Sequence, residues 1–103
     1  AGGLLLNAMN VTPEAEDEFN AWYDEEHLSA LAAVPGTLAA RRYRARDDSN
    51  ATHRYVAIYH LESPQVVRSD AWKAAVDTPW SARIVPQFRD RLRVLTGRYV
   101  RKD

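Results

Sequence analysis

Phe19-Asn20-Ala21-Trp22-Tyr23-Asp24-Glu25-Glu26-His27-Leu28, followed by Val34-Pro35-Gly36, is the stretch from which the fold can be read. At about 100° per residue it winds into a helix with Phe19, Trp22, Tyr23, Glu26, Ala30 and Ala33 on one side. His27 falls at the edge of that side. Two breakers in a row, Pro35 and Gly36, end the helix. A carboxylate set in an aromatic stripe beside an imidazole is not what a plain packing helix carries. Burying Glu26 without compensation is costly, so a partner or a wet pocket is expected next to it.

Working outward, Leu4 to Val11 reads as a strand, with Thr12 as N-cap and Pro13 in the first helical turn. The helix then spans about Pro13 to Ala33, and its acidic start suits the positive end of the helix dipole. Thr37 to Arg46 reads as a second strand, Asp47-Asp48-Ser49-Asn50 as a turn, and Arg54 to Glu62 as a third strand rich in Tyr, Val and Ile. Ser63-Pro64 opens another helix, Ser69-Asp70 restarts it, and Asp77-Thr78-Pro79-Trp80 caps a further turn reaching about Phe88. Arg89 to Tyr99 alternates as a last strand, with Leu92 and Val94 on one face and Leu95 and Tyr99 on the other. The order βαββαβ is that of an α+β, ferredoxin-like domain with a four-stranded antiparallel sheet. Right-handed crossovers put both helices on one face of that sheet.

Yet the strands are apolar on both faces. Leu4, Leu6 and Ala8 oppose Leu5, Met9 and Val11 in the first, and Tyr55, Ala57, Tyr59 and Leu61 oppose Val56, Ile58 and His60 in the third. An open face with that much apolar surface requires a cover, and a second copy laid sheet to sheet supplies one with two-fold symmetry. A homodimer is therefore expected.

The 103 residues fit one domain, 1–103, and contents of 46% hydrophobic and 27% charged residues are ordinary for a globular protein. No apolar run approaches the ~18–20 residues of a membrane span, and Ala1 to Leu6 is too short and lacks the basic start of a secretory signal. Neither a membrane nor a secreted location is expected, and a cytoplasmic protein is the simplest reading. Without cysteine there are no disulfides, thiol chemistry or Cys-based metal sites. The formal net charge of +0 argues against a nucleic-acid partner held by its phosphates. The charges are still segregated: acids crowd the first helix, while Arg41, Arg42, Arg44 and Arg46 follow it and Arg89, Arg91, Arg93 and Arg98 lie near the C-terminus.

Phe19, Trp22 and His27, then Val34-Pro35-Gly36 and Arg41-Arg42-Tyr43, resemble the dimeric α/β-barrel superfamily, closest to its EthD-like branch. The resemblance implies a dimeric α/β barrel with a pocket in each subunit between the sheet, the first helix and the C-terminal helical segment. It implies a small, apolar, aromatic or lactone ligand and, as in many such enzymes, no cofactor and no metal. Members often carry a proline two residues after the helix histidine, where this chain has Ser29. Asn7 is similar to the polar first-strand residue of the haem-degrading and quinone-forming branches, but no histidine follows His60 to act as a haem ligand.

Two residues are candidates for catalysis. His27 can accept and donate a proton near neutrality, or it hydrogen-bonds across a subunit contact. Glu26 is a second proton carrier, or a structural ion pair with Arg42 or Arg44. Candidates for binding are Trp22, Tyr23, Arg42, Tyr43, His60, Trp72 and Trp80. The aromatic residues either stack on a flat ligand or pack the core. Arg42 and Tyr43 face opposite ways on their strand, so one of them lies in or near the cavity, and Arg42 suits an enolate or carboxylate. The function expected first is a cofactor-independent isomerase or cyclase acting by proton transfer on an enolisable aromatic or lactone compound. A cofactor-free oxygenase and a non-catalytic dimeric binding or stress-response protein are the alternatives.

Overall fold

The computed structural model describes residues 2–98, 100 and 102. Four strands, β1 (Gly3–Val11), β2 (Thr37–Arg44), β3 (Tyr55–Leu61) and β4 (Phe88–Thr96), form one antiparallel sheet in the order β2-β3-β1-β4. Between β1 and β2 run a 3-10 turn (Pro13–Ala15), α1 (Glu16–Trp22), a π-helical turn (Tyr23–His27) and α2 (Leu28–Ala32). Between β3 and β4 run a 3-10 turn (Pro64–Arg68), α3 (Asp70–Val76), α4 (Pro79–Ile84) and a last 3-10 turn (Val85–Gln87). This is the ferredoxin-like βαββαβ arrangement. The strands end a residue or two from the expected limits, and the expected end of the last one, at Tyr99, lies outside the described residues.

All helices cover one face of the sheet. Leu5 and Met9 of β1 with Tyr55, Tyr59 and Leu61 of β3 meet Phe19, Trp22, Tyr23 and Leu31 from the first helical segment and Trp72 and Ile84 from the second. The molecule is 19 Å in its thinnest direction, the depth of one sheet and one helix layer at about 10 Å each. The other face of the sheet is uncovered. It presents half-buried Leu4, Leu6, Val56 and Ile58, and Tyr43, Leu92 and Val94 are exposed beside them.

Three local features depart from the sequence reading. The first is the π turn. It takes up one extra residue, so the buried stripe slips by one after Tyr23 and continues as His27, Leu31 and Val34 instead of Glu26, Ala30 and Ala33. Glu26 and Ala30 are half-buried and Ala33 is exposed. The second is Thr12, whose hydroxyl does not cap the helix but bonds Gln87 Oε1 at 2.9 Å. The β1–β4 ladder continues through Thr12 N to Gln87 O (3.1 Å) and turns Thr12 toward the neighbouring strand. The third is Phe88, which begins β4 instead of ending a helix.

Other signals act as read. Ser63, Ser69 and Thr78 cap their segments by accepting from the backbone N–H of Gln65, Trp72 and Ser81. Gly36 ends the first helical segment at φ +95°, and a Cβ there would stand 2.6 Å from Val66 Cγ2.

Candidate functional site

A cavity of about 380 Å³ lies between the helices and the β1–β4 half of the sheet. That volume is within the usual range for small-molecule sites, roughly 300–1,000 Å³. Leu5, Leu31, Val67 and Val76 give it an apolar floor, and Trp22, Trp72 and Phe88 give it flat aromatic walls. Polar groups enter at a few points only: Asn7 from β1, His27 from the π turn, Ser81 from α4, and Lys73, Arg91 and Arg93 at the rim.

The position of His27 follows from the π turn. In an α-helix residues five apart point ~140° away from each other; the wider turn brings Trp22 and His27 together. Their rings stack at 4.0 Å with 19° between planes, and Tyr23 meets the imidazole edge-on at 5.1 Å. Nδ1 of His27 and Oδ1 of Asn7 are buried without a hydrogen-bond partner among the described residues. Burial, reinforced by the charges of Arg91 and Arg42, lowers the pKa of His27 to about 4. Its imidazole is therefore neutral at pH 7, with one nitrogen free to accept a proton.

Trp22 is held in place from behind. Its Nε1–H donates to Ser81 Oγ (3.2 Å), Ser81 Oγ lies 2.9 Å from Thr78 Oγ1, and the Thr78 hydroxyl donates to Glu26 Oε2 (2.7 Å). This chain of contacts satisfies Glu26 with a hydroxyl and leaves the carboxylate off the cavity wall, where the sequence suggested either a second proton carrier or an ion pair with Arg42 or Arg44. The π turn is the reason: it takes Glu26 out of the core stripe and aims it at the cap of α4.

Arg42 is engaged elsewhere. Its guanidinium donates to Asn20 Oδ1 (2.7 Å), pairs with Asp24 Oδ1 (2.9 Å) and sits 4.2 Å over the Tyr23 ring. Arg42 and Tyr23 line a narrow crevice next to the main cavity, with Asn7 between the two. Burial raises the phenol pKa of Tyr23 and of Tyr59, so both hydroxyls stay protonated.

With Glu26 off the cavity wall, the other eight candidates from the sequence divide. Trp22, His27 and Trp72 line the main cavity, and Tyr23 and Arg42 line the adjoining crevice. Tyr43 and His60 are exposed, and their register partners Val56 and Leu4 put them on the uncovered face of the sheet. Trp80 packs half-buried against the core, outside the cavity wall. Lys73, Ser81, Arg91 and Arg93 were not singled out as site residues. For the arginines a signal existed: in a strand the odd positions 91, 93 and 95 share a face, and Leu95 is apolar. Reading Arg91 and Arg93 as inward would have required knowing that the cavity opens at this edge strand.

Residues 5–94 match the family model described as Domain of unknown function (DUF4286), and the chain belongs to that family. No curated protein matches the sequence. Among solved structures, an ethyl tert-butyl ether d (EthD) family protein from Bacillus halodurans is similar over 94% of this chain and 99% of its own, with TM-score 0.68 and 14% identity. A variant of MhuD with two manganese protoporphyrin IX molecules bound per active site is similar over 98% and 97%, with TM-score 0.69 and 19% identity. SnoaB, a cofactor-independent oxygenase from Streptomyces nogalater, is similar over 100% and 97%, with TM-score 0.64 and 20% identity. These likenesses show the same ferredoxin-like α+β fold.

Proposed function

We propose that this member of the DUF4286 family is a homodimer, paired through the uncovered sheet faces, that binds one flat aromatic or enolisable molecule per cavity and moves a proton on it without a cofactor. The observation that carries this reading is the neutral, buried His27 in an aromatic-walled cavity, with an unpartnered nitrogen and the unpartnered Asn7 oxygen nearby. A substrate C–H or O–H next to a carbonyl or ring gives its proton to the imidazole, and an enolate or phenolate remains. The positive charges of Arg42 and Arg91, which disfavour the imidazolium, favour that substrate anion. Returning the proton at another carbon completes an isomerisation; where the enolate carbon instead attacks a second carbonyl of the same molecule, the imidazolium returns its proton to the alkoxide formed and the product is a cyclised alcohol. Glu26 serves as a positioning residue that fixes the Trp22 wall through Thr78 and Ser81.

A second reading shares the first step. In an apolar cavity an anionic substrate can itself pass an electron to O2, and recombination with loss of water gives a quinone. SnoaB, with the same fold, is a cofactor-independent oxygenase. The porphyrin of the MhuD variant does not carry over. Of the ordinary axial donors to haem iron, the cavity wall offers His27 alone among the described residues, and its ring lies flat against Trp22.

The test is proton exchange. In D2O, with 2-tetralone and a panel of enolisable lactones followed by NMR, the wild-type chain incorporates deuterium next to the carbonyl. His27→Gln slows this by about 100-fold or more, the ordinary contribution of a general base. Exchange at equal rates in both proteins contradicts the reading, and oxygen uptake during exchange selects the oxygenase form.

A further inference from the structure

β4 carries an irregularity that concerns the ligand. The β1–β4 register jumps between Ala8 and Asn10, and Asp90 takes a left-handed conformation with φ 55°. Two residues, Asp90 and Arg91, thereby stand opposite the single residue Met9. Asn10 Nδ2 donates to the Asp90 carboxylate (3.0 Å), and His53 Nε2 lies 2.9 Å from the Asp90 carbonyl oxygen, which fixes the bulge from both sides. Without the extra residue, Phe88 and Arg91 would point to opposite faces. With it, Phe88, Arg91 and Arg93 all reach the cavity.

The bulge therefore delivers two guanidinium groups to one end of an aromatic slot. Arg93 is the register partner of Asn7, and Arg91 lies 5.8 Å from the Phe88 ring. Lys73 of α3 lines the same cavity. Among the described residues none of these three cations has an ion-pair partner, and no carboxylate lines the cavity. An unbalanced cationic rim on an apolar slot is complementary to a ligand with one flat apolar body and one anionic end.

We propose that the substrate is an aromatic carboxylate, its rings between Trp22, Trp72 and Phe88 and its carboxylate on Arg91 and Arg93 with Lys73. The inference rests on the ligand-binding cavity argued above and adds the charge of the ligand. It also removes an electrostatic difficulty. Protonating His27 next to Arg91 is unfavourable in the empty cavity, and a carboxylate on Arg91 offsets that repulsion.

Calorimetric titration of the full chain at pH 7 with 2-naphthoate and with its neutral counterpart 2-naphthamide tests the assignment. The naphthoate is expected to bind at least about tenfold tighter, a difference that shrinks as salt is added. In Lys73→Gln/Arg91→Gln/Arg93→Gln the two probes bind within about twofold of each other, because the charged groups that discriminate them are gone. All three residues are exposed, so the variant retains its far-UV circular dichroism. Equal affinity for the two probes in the wild-type chain overturns the carboxylate assignment and leaves the cavity reading standing. Binding of neither probe overturns both.

Discussion

Burial of the His27 imidazole, with the charges of Arg91 and Arg42 near it, favours the neutral ring, and this sets a pH dependence. The folded-state pKa of His27, about 4, lies below its ordinary 6.5. Between those values the unfolded chain holds a proton that the folded chain does not, so stability rises with pH across the window. From pH 6.5 down to pH 4 His27 is expected to withdraw up to about 3 kcal/mol of folding stability. Urea unfolding of wild type and His27→Gln at pH 4.5 and 7 checks this: the variant loses less on acidification, and parallel losses refute it. His27 and Trp22 were legible as candidates because an aromatic residue close to an imidazole stands out in one dimension, whereas Trp72 was singled out only as an aromatic residue of the C-terminal helical segment; all three line the cavity. The partner of Glu26 was not, since Thr78 is 52 residues away and joins only through tertiary packing.

The elements were read nearly to their ends, because proline, glycine and serine punctuation marks them one by one. What escaped was phase within an element. A single π turn moved the buried stripe from Glu26, Ala30 and Ala33 to His27, Leu31 and Val34. The larger side chains at 31 and 34 were the available hint, as burying Leu and Val gains more than burying two alanines. If the turn is one accommodated residue, removing one restores the α-helix and keeps both flanking segments in phase. Deletion of exposed Glu25 is therefore expected to leave a folded protein within about 1 kcal/mol of wild type by denaturant unfolding. A loss of several kcal/mol would mean that the stripe does not re-form. The bulge at Asp90 is the corresponding case in the sheet, where one extra residue decides whether Arg91 shares the cavity face with Phe88.

For the molecule as a whole, the βαββαβ order was legible because period-2 and period-3.6 patterns alternate cleanly between breakers. The cavity's place, between the sheet, the first helix and the C-terminal helical segment, came from the family resemblance; residue patterns did not show it, because its wall joins segments spread over most of the chain. The two-layer build leaves Leu6 of β1 between Ile58 and Val94 on the uncovered face. In the proposed dimer that position is central. Sedimentation is expected to give twice the 11.7 kDa chain mass for the wild type, and the chain mass for Leu6→Glu, which sets like charges against each other across the two-fold axis. A monomeric wild type contradicts the sheet-to-sheet pairing.

The central claim is that the cavity takes a flat ligand within reach of His27. A crystal structure of the chain soaked with 2-naphthol tests it most directly. The ring system is expected between Trp22 and Trp72, with its oxygen within hydrogen-bond distance of the imidazole. A cavity closed by its own side chains, with His27 Nδ1 bonded to the protein and naphthol absent, would contradict it.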